Sequence, residues 1–285
     1  MKAPALEPAL YLVSTPIGNL GDITIRGLET ITACDVLACE DTRVTRRLLD
    51  RYGIKQKPYA YHEHNAQKVG PKLIEQLQQG KSVALVSDAG TPLVSDPGYR
   101  LGVEARAAGF RVIPVPGTSA VLAGLAASGL PSDDFRFVGF LPNKDGARRN
   151  FLERLAHVSS TLIMFEAPTR LVASLRAISD IMGEERMVCV GRELTKRFET
   201  IITLNANDIT DHFENETIKG EIVILIEPAQ EAPHPTTDDE IDDILISLLK
   251  EMPASKAAKE AAKMTGLQKA DLYTRLLNLK ASDAQ

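Results

Sequence analysis

The sequence predicts an α/β protein with two α/β domains and a small all-α C-terminal module. Short apolar runs rich in β-branched residues alternate with amphipathic helical patterns up to about residue 227, and the composition changes abruptly after Pro228. An alternating series of this kind implies helices packed on largely parallel sheets, and 285 residues suit two modest domains better than one. We place the N-terminal α/β domain at 1–117, the C-terminal α/β domain at 118–230, and a linker with a helical module at 231–285.

The first domain is predicted to alternate buried strands with helices. The strands are Leu10–Ser14, Val36–Cys39, Val83–Ser87 and Val112–Val115, and the helices are Ile23–Ala33, Thr42–Tyr52, Ala66–Gln79 and Tyr99–Ala108. Continuous apolar runs of this length are typical of a sheet that is covered on both faces. Gly53, Gly80 and Gly109 each follow a helical pattern, where a left-handed cap is favoured.

The second domain is predicted to contain a mixed sheet, because Thr200–Leu204 follows the preceding strand too closely for a helical crossover. The other strands are Phe135–Leu141, Thr161–Phe165, Met187–Arg192 and Glu221–Glu227, and the helices are Ser119–Ser128, Arg148–Val158 and Arg170–Met182. Residues 229–240 are rich in prolines and acids, which indicates a linker. The module after it is predicted to contain helices at Ile241–Lys250, Ser255–Met264 and Gln268–Leu279.

The composition is that of an ordinary soluble globular protein, with 44% hydrophobic and 25% charged residues. The N-terminus lacks a signal-peptide pattern, and no stretch approaches the roughly 20 apolar residues that span a bilayer. We therefore expect a cytoplasmic protein that does not bind membranes. We expect no metal, because the cysteines lack zinc-ligand spacing and His62 and His64 lack a third ligand.

The residues that could bind a ligand or take part in catalysis follow the predicted strands. In open α/β sheets, ligands bind beyond the carboxyl ends of the strands. Asp88 ends a buried strand and precedes small residues, which suits a ligand whose hydroxyls face a carboxylate. The segment 116–120 begins a helix at Thr118 or Ser119, where the helix dipole favours an anion. Helix capping by Asp22 or Ser119 is the structural alternative.

Two further strands end in charged residues. Glu166 and Glu193 adjoin apolar strands, where an unpaired carboxylate is costly. Arg170 and Arg192 are candidate salt-bridge partners, so a structural role and a catalytic role both stay open. The chain contains neither a dinucleotide-binding glycine pattern nor a phosphate-binding P-loop.

Nine short segments carry most of these unusual residues. In order, they are STPIGNLGDIT, CEDTR, LVSDAGTPLVSDPG, PGTSA, SGLP, FVGFLP, FEAPTR, RELTKRFET and KGEIVILIE. As a series they resemble the ribosomal RNA small-subunit methyltransferase I family of the tetrapyrrole-methylase (class III methyltransferase) superfamily. Thr169 departs from that family, which commonly has a histidine between the proline and the arginine of the FEAPTR segment.

The resemblance implies two αβα domains of the tetrapyrrole-methylase fold with S-adenosyl-L-methionine in the cleft between them, and a homodimer. It also implies methyl transfer to the ribose 2′-hydroxyl of a cytidine in 16S rRNA near the ribosomal P site, with 16S rRNA or the 30S subunit as partner. Carried over residue by residue, the cofactor would contact Pro16, Asp88, Ala89, Gly90, Thr91, Ser119, Ala120, Phe165 and Leu194.

A ribose hydroxyl is a very weak acid, so this reaction requires a group that removes its proton and aligns it with the methyl group. The catalytic candidates are Glu40, Asp41, Glu166 and Lys196. For the segment from Glu40 to Arg43, helix capping with a solvated arginine is the alternative.

Several clusters of basic residues occur on a chain whose formal net charge is −5. Such clusters usually lie on solvated helix faces, which is the alternative here. Their number on an acidic chain favours a local RNA-binding surface. The RNA-contact candidates are Asn19, Arg43, Arg148, Arg149, Lys256 and Lys259. Two other functions stay open. One is a methylase of a tetrapyrrole or corrinoid precursor, and the other is a non-catalytic RNA-binding protein of the same fold.

Overall fold

The computed structural model describes residues 5–96, 98–229, 237–265 and 267–282. The chain divides into two compact units, Met1–Pro228 and Ala229–Gln285. The strands are β1 (Ala9–Val13), β2 (Val36–Cys39), β3 (Pro58–Ala60), β4 (Val83–Val86), β5 (Arg111–Val115), β6 (Phe135–Phe140), β7 (Thr161–Glu166), β8 (Met187–Arg192), β9 (Thr200–Asn205) and β10 (Ile222–Ile226). The helices are α1 (Ile25–Ala33), α2 (Thr42–Tyr52), α3 (Ala66–Gln78), α4 (Tyr99–Ala107), α5 (Ala120–Ser128), α6 (Asp145–Glu153), α7 (Leu171–Met182), α8 (Ala206–Glu214), α9 (Asp238–Glu251), α10 (Ala254–Thr265) and α11 (Lys269–Ser282).

The first sheet is parallel, with strand order β3-β2-β4-β1-β5. Helices α1 and α2 cover one face with apolar side chains such as Ile31 and Leu49, and α3 and α4 cover the other with Leu73 and Leu101. Burial on both faces explains the continuous apolar runs of the central strands. Because every strand points the same way, their carboxyl ends meet at one edge, where the loops after β1, β2, β4 and β5 gather.

The second sheet is mixed, as the sequence predicts, with strand order β6-β7-β10-β8-β9. Strands β6 and β7 are parallel, and β10 runs antiparallel to both β7 and β8. Helix α5 packs on one face through Val121 and Leu125. The other face is covered by α6, α7 and α8, which bury Leu152, Leu175 and Phe213. The predicted class of two α/β sheets followed by helices is confirmed.

The sequence pattern does not predict two of the elements, β3 and α8. Strand β3 has three residues at the edge of the first sheet, too few for a periodic signal. Helix α8 follows β9 directly, and its N-cap Asn205 accepts a hydrogen bond from the Asp208 amide at 2.8 Å. Helix α6 covers Asp145–Glu153 rather than the predicted Arg148–Val158. The Asp145 carboxylate in its first turn stabilises the earlier N-terminus.

The second unit contains α9, α10 and α11, which pack around buried Leu245, Ala261 and Leu276. Residues 238–240, predicted to end the linker, form the first turn of α9 instead. Thr237 and Glu240 there make a reciprocal capping box that satisfies amides at the helix start. The predicted linker residues 230–236 lie outside the described residues.

All three cysteines are buried thiols without a disulfide partner. Burial raises the pKa of Cys34 to about 12, so this thiol is a poor nucleophile. Within the described part of the chain, no helix has both the length and the apolar character that crossing a membrane requires.

The packing of α8 predicts a large effect of Phe213→Ala. Phe213 is 1% exposed, and removal of a buried aromatic side chain costs about 3–5 kcal/mol of unfolding free energy. Phe198→Ala is the matched control, because Phe198 is 67% exposed and a surface change of this kind costs less than about 0.5 kcal/mol. Urea denaturation followed by circular dichroism measures both. Equal stability of the two variants would contradict the described packing.

Candidate active site

Hydrogen bonds join three loops at the carboxyl edge of the first sheet. Thr15 after β1 and Gly90 after β4 exchange two backbone hydrogen bonds, at 2.8 and 2.9 Å. The Thr91 hydroxyl donates to the Thr118 carbonyl after β5 at 3.2 Å and lies 3.0 Å from the Ser14 hydroxyl. The Thr118 hydroxyl in turn donates to the Thr15 carbonyl. The loops therefore form one connected rim rather than three independent segments.

Gly90 is suited to this rim by its backbone conformation. Its φ is +78°, in the left-handed region that side chains with a Cβ disfavour. This conformation aligns the Gly90 amide and carbonyl with Thr15, so the loop after β4 crosses the end of β1.

A cavity of about 390 Å³ lies between this rim and the second sheet. Its volume falls within the range of about 300–1,000 Å³ that is usual for small-molecule sites. Seven of the nine predicted cofactor residues line it: Ala89, Gly90, Thr91, Ser119, Ala120, Phe165 and Leu194. Pro16 and Asp88 are not among the lining residues, although their neighbours Ile17 and Ala89 are.

The second sheet supplies an apolar, aromatic wall. Phe165 makes edge-to-face contacts with Phe137 and Phe140, with ring centroids 4.9 and 5.3 Å apart. Leu194 and Val223 continue the wall and belong to the same apolar cluster as Ile17 from the first loop. A hydrophobic cluster thus connects the loop after β1 to the second sheet.

The start of β10 also lines the cavity, through Gly220, Glu221, Ile222 and Val223. The sequence does not predict these residues as part of the site, because ligands in α/β sheets usually bind at the carboxyl ends of strands. Since β10 is antiparallel to β7 and β8, its amino end lies where theirs finish. Val94, Ser95 and Asp96 are further lining residues that the sequence pattern did not assign to the site.

The N-terminus of α5 faces the same space. Ser119 caps the helix, and its hydroxyl accepts a hydrogen bond from the Leu122 amide at 3.4 Å. Ala120 and Val121, in the first turn, line the cavity. First-turn amides lack intrahelical acceptors, so this end of the helix suits an anionic group.

Three carboxylates, Glu40, Asp88 and Asp96, gather near the ends of β2 and β4. Burial raises the pKa of all three. Repulsion from Asp88 and Asp96 raises the pKa of Glu40 further. Asp88 also accepts a hydrogen bond from the Asp41 amide at 2.9 Å, which ties the loop after β4 to the loop after β2. Of the three, Asp96 lines the cavity.

Asp41 behaves in the opposite way. It caps α2 by accepting from the Arg43 amide at 2.8 Å, and the Arg43 guanidinium lies 2.6 Å from its carboxylate. The hydrogen bonds from Arg43 lower the pKa of Asp41 to about 2. A carboxylate of this kind is a weak base, and the capping alternative describes Asp41 well. The Arg43 side chain is 88% exposed.

Glu166 is held in a structural network. Glu166 is among the residues that line the cavity. Side chains alternate along a strand, so its carboxylate and the Phe165 ring project to opposite faces of the sheet. The fully buried Glu166 carboxylate accepts from Arg170 Nε at 2.8 Å, from Ser174 Oγ at 2.5 Å and from the Ala167 amide at 2.7 Å. These bonds favour the salt-bridge alternative for Glu166 over proton abstraction.

Lys196 stabilises the loop after β8. Its ammonium lies 2.8 Å from the Glu193 carboxylate and 3.1 Å from that of Glu221. Burial lowers the pKa of Lys196, but hydrogen bonds and attraction from both carboxylates outweigh it, so the pKa is raised overall. Lys196 therefore carries a proton near neutral pH and is unsuited to be the base.

The same loop contacts the loop after β1. The backbone N–H of Asn19 donates a hydrogen bond to the Thr195 hydroxyl at 3.1 Å. The Lys196 side chain lies so close to Gly18 that a Cβ there would overlap it. Glu193 and Thr195 have φ of 53° and 67°, in a region that costs free energy for residues other than glycine. These contacts hold a strained loop beside Leu194.

The predicted RNA contacts are scattered. The Arg148 side chain is 5% exposed and lies 2.5 Å from Asp145, so it is not on the surface as a phosphate contact requires. Arg149 is more exposed but pairs with Asp145 and Asp180.

Asn19 lies in the loop after β1, where its side chain accepts from the Gly21 amide. Lys256 and Lys259 are exposed on α10 of the second unit.

The family is shown by sequence comparison. A model of the tetrapyrrole (corrin/porphyrin) methylases matches residues 9–210. The chain belongs to this family. A model of the RsmI C-terminal HTH domain matches residues 235–280.

Two relatives named ribosomal RNA small subunit methyltransferase I cover nearly the whole chain. The one from Mesorhizobium japonicum is 60% identical over 284 residues, covering 99% of this chain and 96% of the relative. The one from Vibrio cholerae is 46% identical, covering 95% and 94%. The resemblance that the nine segments indicate is confirmed.

Solved structures of tetrapyrrole methylases share the fold. Cobalt precorrin-4 methyltransferase superposes with a TM-score of 0.59 at 20% identity, covering 77% of this chain and 95% of that one. Uroporphyrin-III C-methyltransferase from Thermus thermophilus, complexed with S-adenyl homocysteine, gives 0.54 at 18%, covering 76% and 96%. At these identities, the likeness shows the fold alone.

The opposite pKa shifts of Asp96 and Asp41 predict opposite pH effects on stability. Burial raises the pKa of Asp96 in the folded state, so the ionised carboxylate destabilises the fold at high pH. This free-energy cost disappears as the pH falls and the carboxylate is protonated. Asp96→Asn should therefore be more stable than wild type at about pH 8, with the difference shrinking toward about pH 4.

Asp41→Asn is the control of opposite sign. Its lowered pKa supplies stability that is present above the unfolded-state pKa of about 3.9 and lost as the pH falls toward 2. This variant should be less stable than wild type near neutral pH. Urea denaturation across the pH range measures both variants, and shifts of the same sign would contradict the assigned environments.

Proposed function

We propose that this chain binds S-adenosyl-L-methionine in the cavity between the two sheets and methylates the ribose 2′-hydroxyl of a cytidine in 16S rRNA near the ribosomal P site. The main support is the convergence of loops from both sheets on one cavity, in a chain 60% identical to a protein named ribosomal RNA small subunit methyltransferase I. We expect it to act in the cytoplasm, where its substrate is found.

The cavity residues fit this methyl donor chemically. The wall around Phe165 is apolar and aromatic, which suits a nucleobase. The first turn of α5 at Ala120 suits a carboxylate, and Asp96 supplies a negative charge for ribose hydroxyls or a sulfonium. When bound, S-adenosyl-L-methionine supplies an electrophilic methyl group.

Glu40 is the proton acceptor that the surroundings favour among the four catalytic candidates. Arg43 lowers the pKa of Asp41, and Lys196 is protonated between two carboxylates. Glu166 lines the cavity, but its carboxylate is occupied by hydrogen bonds from Arg170 and Ser174. The pKa of Glu40 is raised, as suits a general base. Glu40 would accept the proton that the ribose hydroxyl loses on methylation.

We further propose a homodimer, as the resemblance implies. On α4, Tyr99 is 75% exposed and Val103 is 48% exposed one turn later, an apolar pair suited to contact with a second copy. Light scattering during size-exclusion chromatography distinguishes monomer from dimer.

The alternatives differ in their substrates. A methylase of a tetrapyrrole or corrinoid precursor would transfer labelled methyl to such a precursor and not to 30S subunits. A non-catalytic RNA-binding protein would bind RNA without S-adenosyl-L-methionine. Incubation with labelled methyl donor and 30S subunits from cells lacking this protein, followed by mass-spectrometric mapping of the 16S rRNA, tests all three. A methylated base, or no methylation, would contradict the proposal.

Glu40→Gln should lower kcat for 30S methylation by about 10²–10⁴-fold, because the amide cannot accept the hydroxyl proton. The affinity for S-adenosyl-L-methionine should change little. Glu75→Gln, at an exposed position on α3, is the control and should retain wild-type kcat. Single-turnover assays with saturating methyl donor measure the effect. Wild-type kcat in Glu40→Gln would remove Glu40 from the chemistry.

Replacing both Lys256 and Lys259 with glutamine should weaken 30S binding and reduce its salt dependence. The reason is that exposed cations on α10 would contact RNA phosphates. Methyl-donor affinity should stay unchanged. The matched control neutralises Lys68 and Lys72, two exposed lysines on α3. Filter binding over a salt series compares the two variants, and an equal effect of both would contradict a specific role for α10.

A further inference from the structure

Helix α2 and the segment after it form the most strongly basic surface segment of the first unit's described residues. Between residues 42 and 57 the sequence has six cationic side chains and one acidic one, Asp50, although the whole chain has a formal net charge of −5. The six cations are all exposed: Arg43, Arg46, Arg47, Arg51, Lys55 and Lys57. We call this set the α2 basic face.

The helical period explains why these cations face solvent. Thr45, Leu48 and Leu49 form the buried side of α2, and the leucines pack in the core of the first sheet. The helix starts directly after Glu40 and Asp41, at the edge where the carboxylates gather. Its 11 residues extend about 16 Å from that edge. The α2 basic face therefore begins beside the proposed proton acceptor and continues away from it.

Most of these cations have no carboxylate partner. Among the described residues, no carboxylate lies within 4 Å of the charged groups of Arg46, Arg47, Arg51, Lys55 or Lys57. Other arginines do have a carboxylate partner at that distance, for example Arg100 with Glu104 and Arg176 with Glu214. Arg46 donates instead to the Gln56 carbonyl at 3.3 Å. Their positive charge is therefore not cancelled locally, which suits a polyanion.

The shape of the surface supports the same ligand. An open groove of about 490 Å³ runs between α2 and the following loop. Three cations, Arg46, Lys55 and Lys57, and one acid, Asp50, line it. Tyr52 and Tyr59 are 36% and 45% exposed within the same stretch. Cations interleaved with aromatic rings are typical of RNA-binding surfaces, where the rings stack on bases. Apart from these tyrosines, residues 42–60 expose no large hydrophobic side chain of the kind found at the core of protein interfaces.

We propose that the α2 basic face binds the phosphate backbone of the rRNA strand that leads to the methylated nucleotide. This rests on the proposed function and deepens it, since it assigns the substrate-binding surface to residues other than the buried Arg148 and the paired Arg149. Phosphate contacts fix the position and register of a nucleic acid without reading its sequence. The α2 basic face thus positions the rRNA strand, and methyl transfer takes place at the cavity.

The test replaces Arg46, Arg47, Arg51 and Lys55 with glutamine in the full chain and leaves Arg43 in place. Each phosphate contact contributes about 0.7–0.9 to the slope of log affinity against log salt, so the slope for 30S binding should fall by about 3 and affinity at low salt by at least about tenfold. The matched control replaces the exposed cations Lys68, Lys72, Arg136 and Arg154 with glutamine and should change neither quantity.

The affinity for S-adenosyl-L-methionine, measured for both variants, reports whether the first unit is intact and should equal that of wild type. An unchanged salt slope in the α2 variant would overturn the proposal. A wild-type chain that binds 30S subunits with the expected slope but transfers no methyl group would refute the proposed function and leave this surface assignment standing.

A crosslink identifies the partner. Since Cys34, Cys39 and Cys189 are buried, Lys55→Cys introduces one accessible thiol into the described structure for a photoreactive label. Irradiation with 30S subunits should attach the label to 16S rRNA, and Lys68→Cys should give little adduct. Attachment mainly to a ribosomal protein would overturn the assignment to RNA.

Discussion

The pair of backbone hydrogen bonds between Thr15 and Gly90 is the constraint on which the site depends. It joins the loops after β1 and β4, and the hydroxyls of Ser14, Thr91 and Thr118 extend the connection to the loop after β5. Loops are usually the mobile parts of an α/β fold. Here their backbone groups are paired with one another, so one side of the cavity is organised before any ligand arrives. Preorganisation of this kind lowers the entropic cost of binding.

The two sheets contribute different chemistry to the cavity because their topologies differ. The parallel first sheet brings several polar loops to one edge. The mixed second sheet contributes the ends of β7 and β8 together with the start of β10, and with them the apolar wall around Phe165. Contacts of Lys196 with Gly18 and of Thr195 with Asn19 connect the two halves beside this wall. A polar rim opposite an aromatic wall suits a charged nucleoside.

The sequence predicts regular features well and spatial arrangements poorly. The apolar runs located nine of the strands, and the mixed second sheet followed from the short connection before β9. The sequence does not predict the three-residue β3 or the helix α8, because neither gives an extended periodic signal. Within the site, Gly90, Thr91, Ser119 and Phe165 were assigned through strand ends and resemblance. Gly220 and Glu221 were not, because their position depends on the antiparallel direction of β10, which only pairing reveals.

The environment of a charged side chain is the property that the sequence predicts least well. Arg148 and Lys256 look alike as members of basic clusters, yet the first is buried against Asp145 and the second is exposed. Likewise, Glu40 and Asp41 are adjacent, but burial raises the pKa of one and Arg43 lowers that of the other. These differences arise from packing between residues that are distant in sequence or from local side-chain geometry, and neither has a sequence period.

We propose that both sheets together form a single binding site for the methyl donor. A crystal structure of the full chain grown with S-adenosylhomocysteine is the decisive experiment. We expect the nucleoside to lie between Gly90 and Phe165, with its amino-acid portion near the start of α5. Nucleoside bound elsewhere, or a cavity that stays empty at saturating ligand, would contradict it.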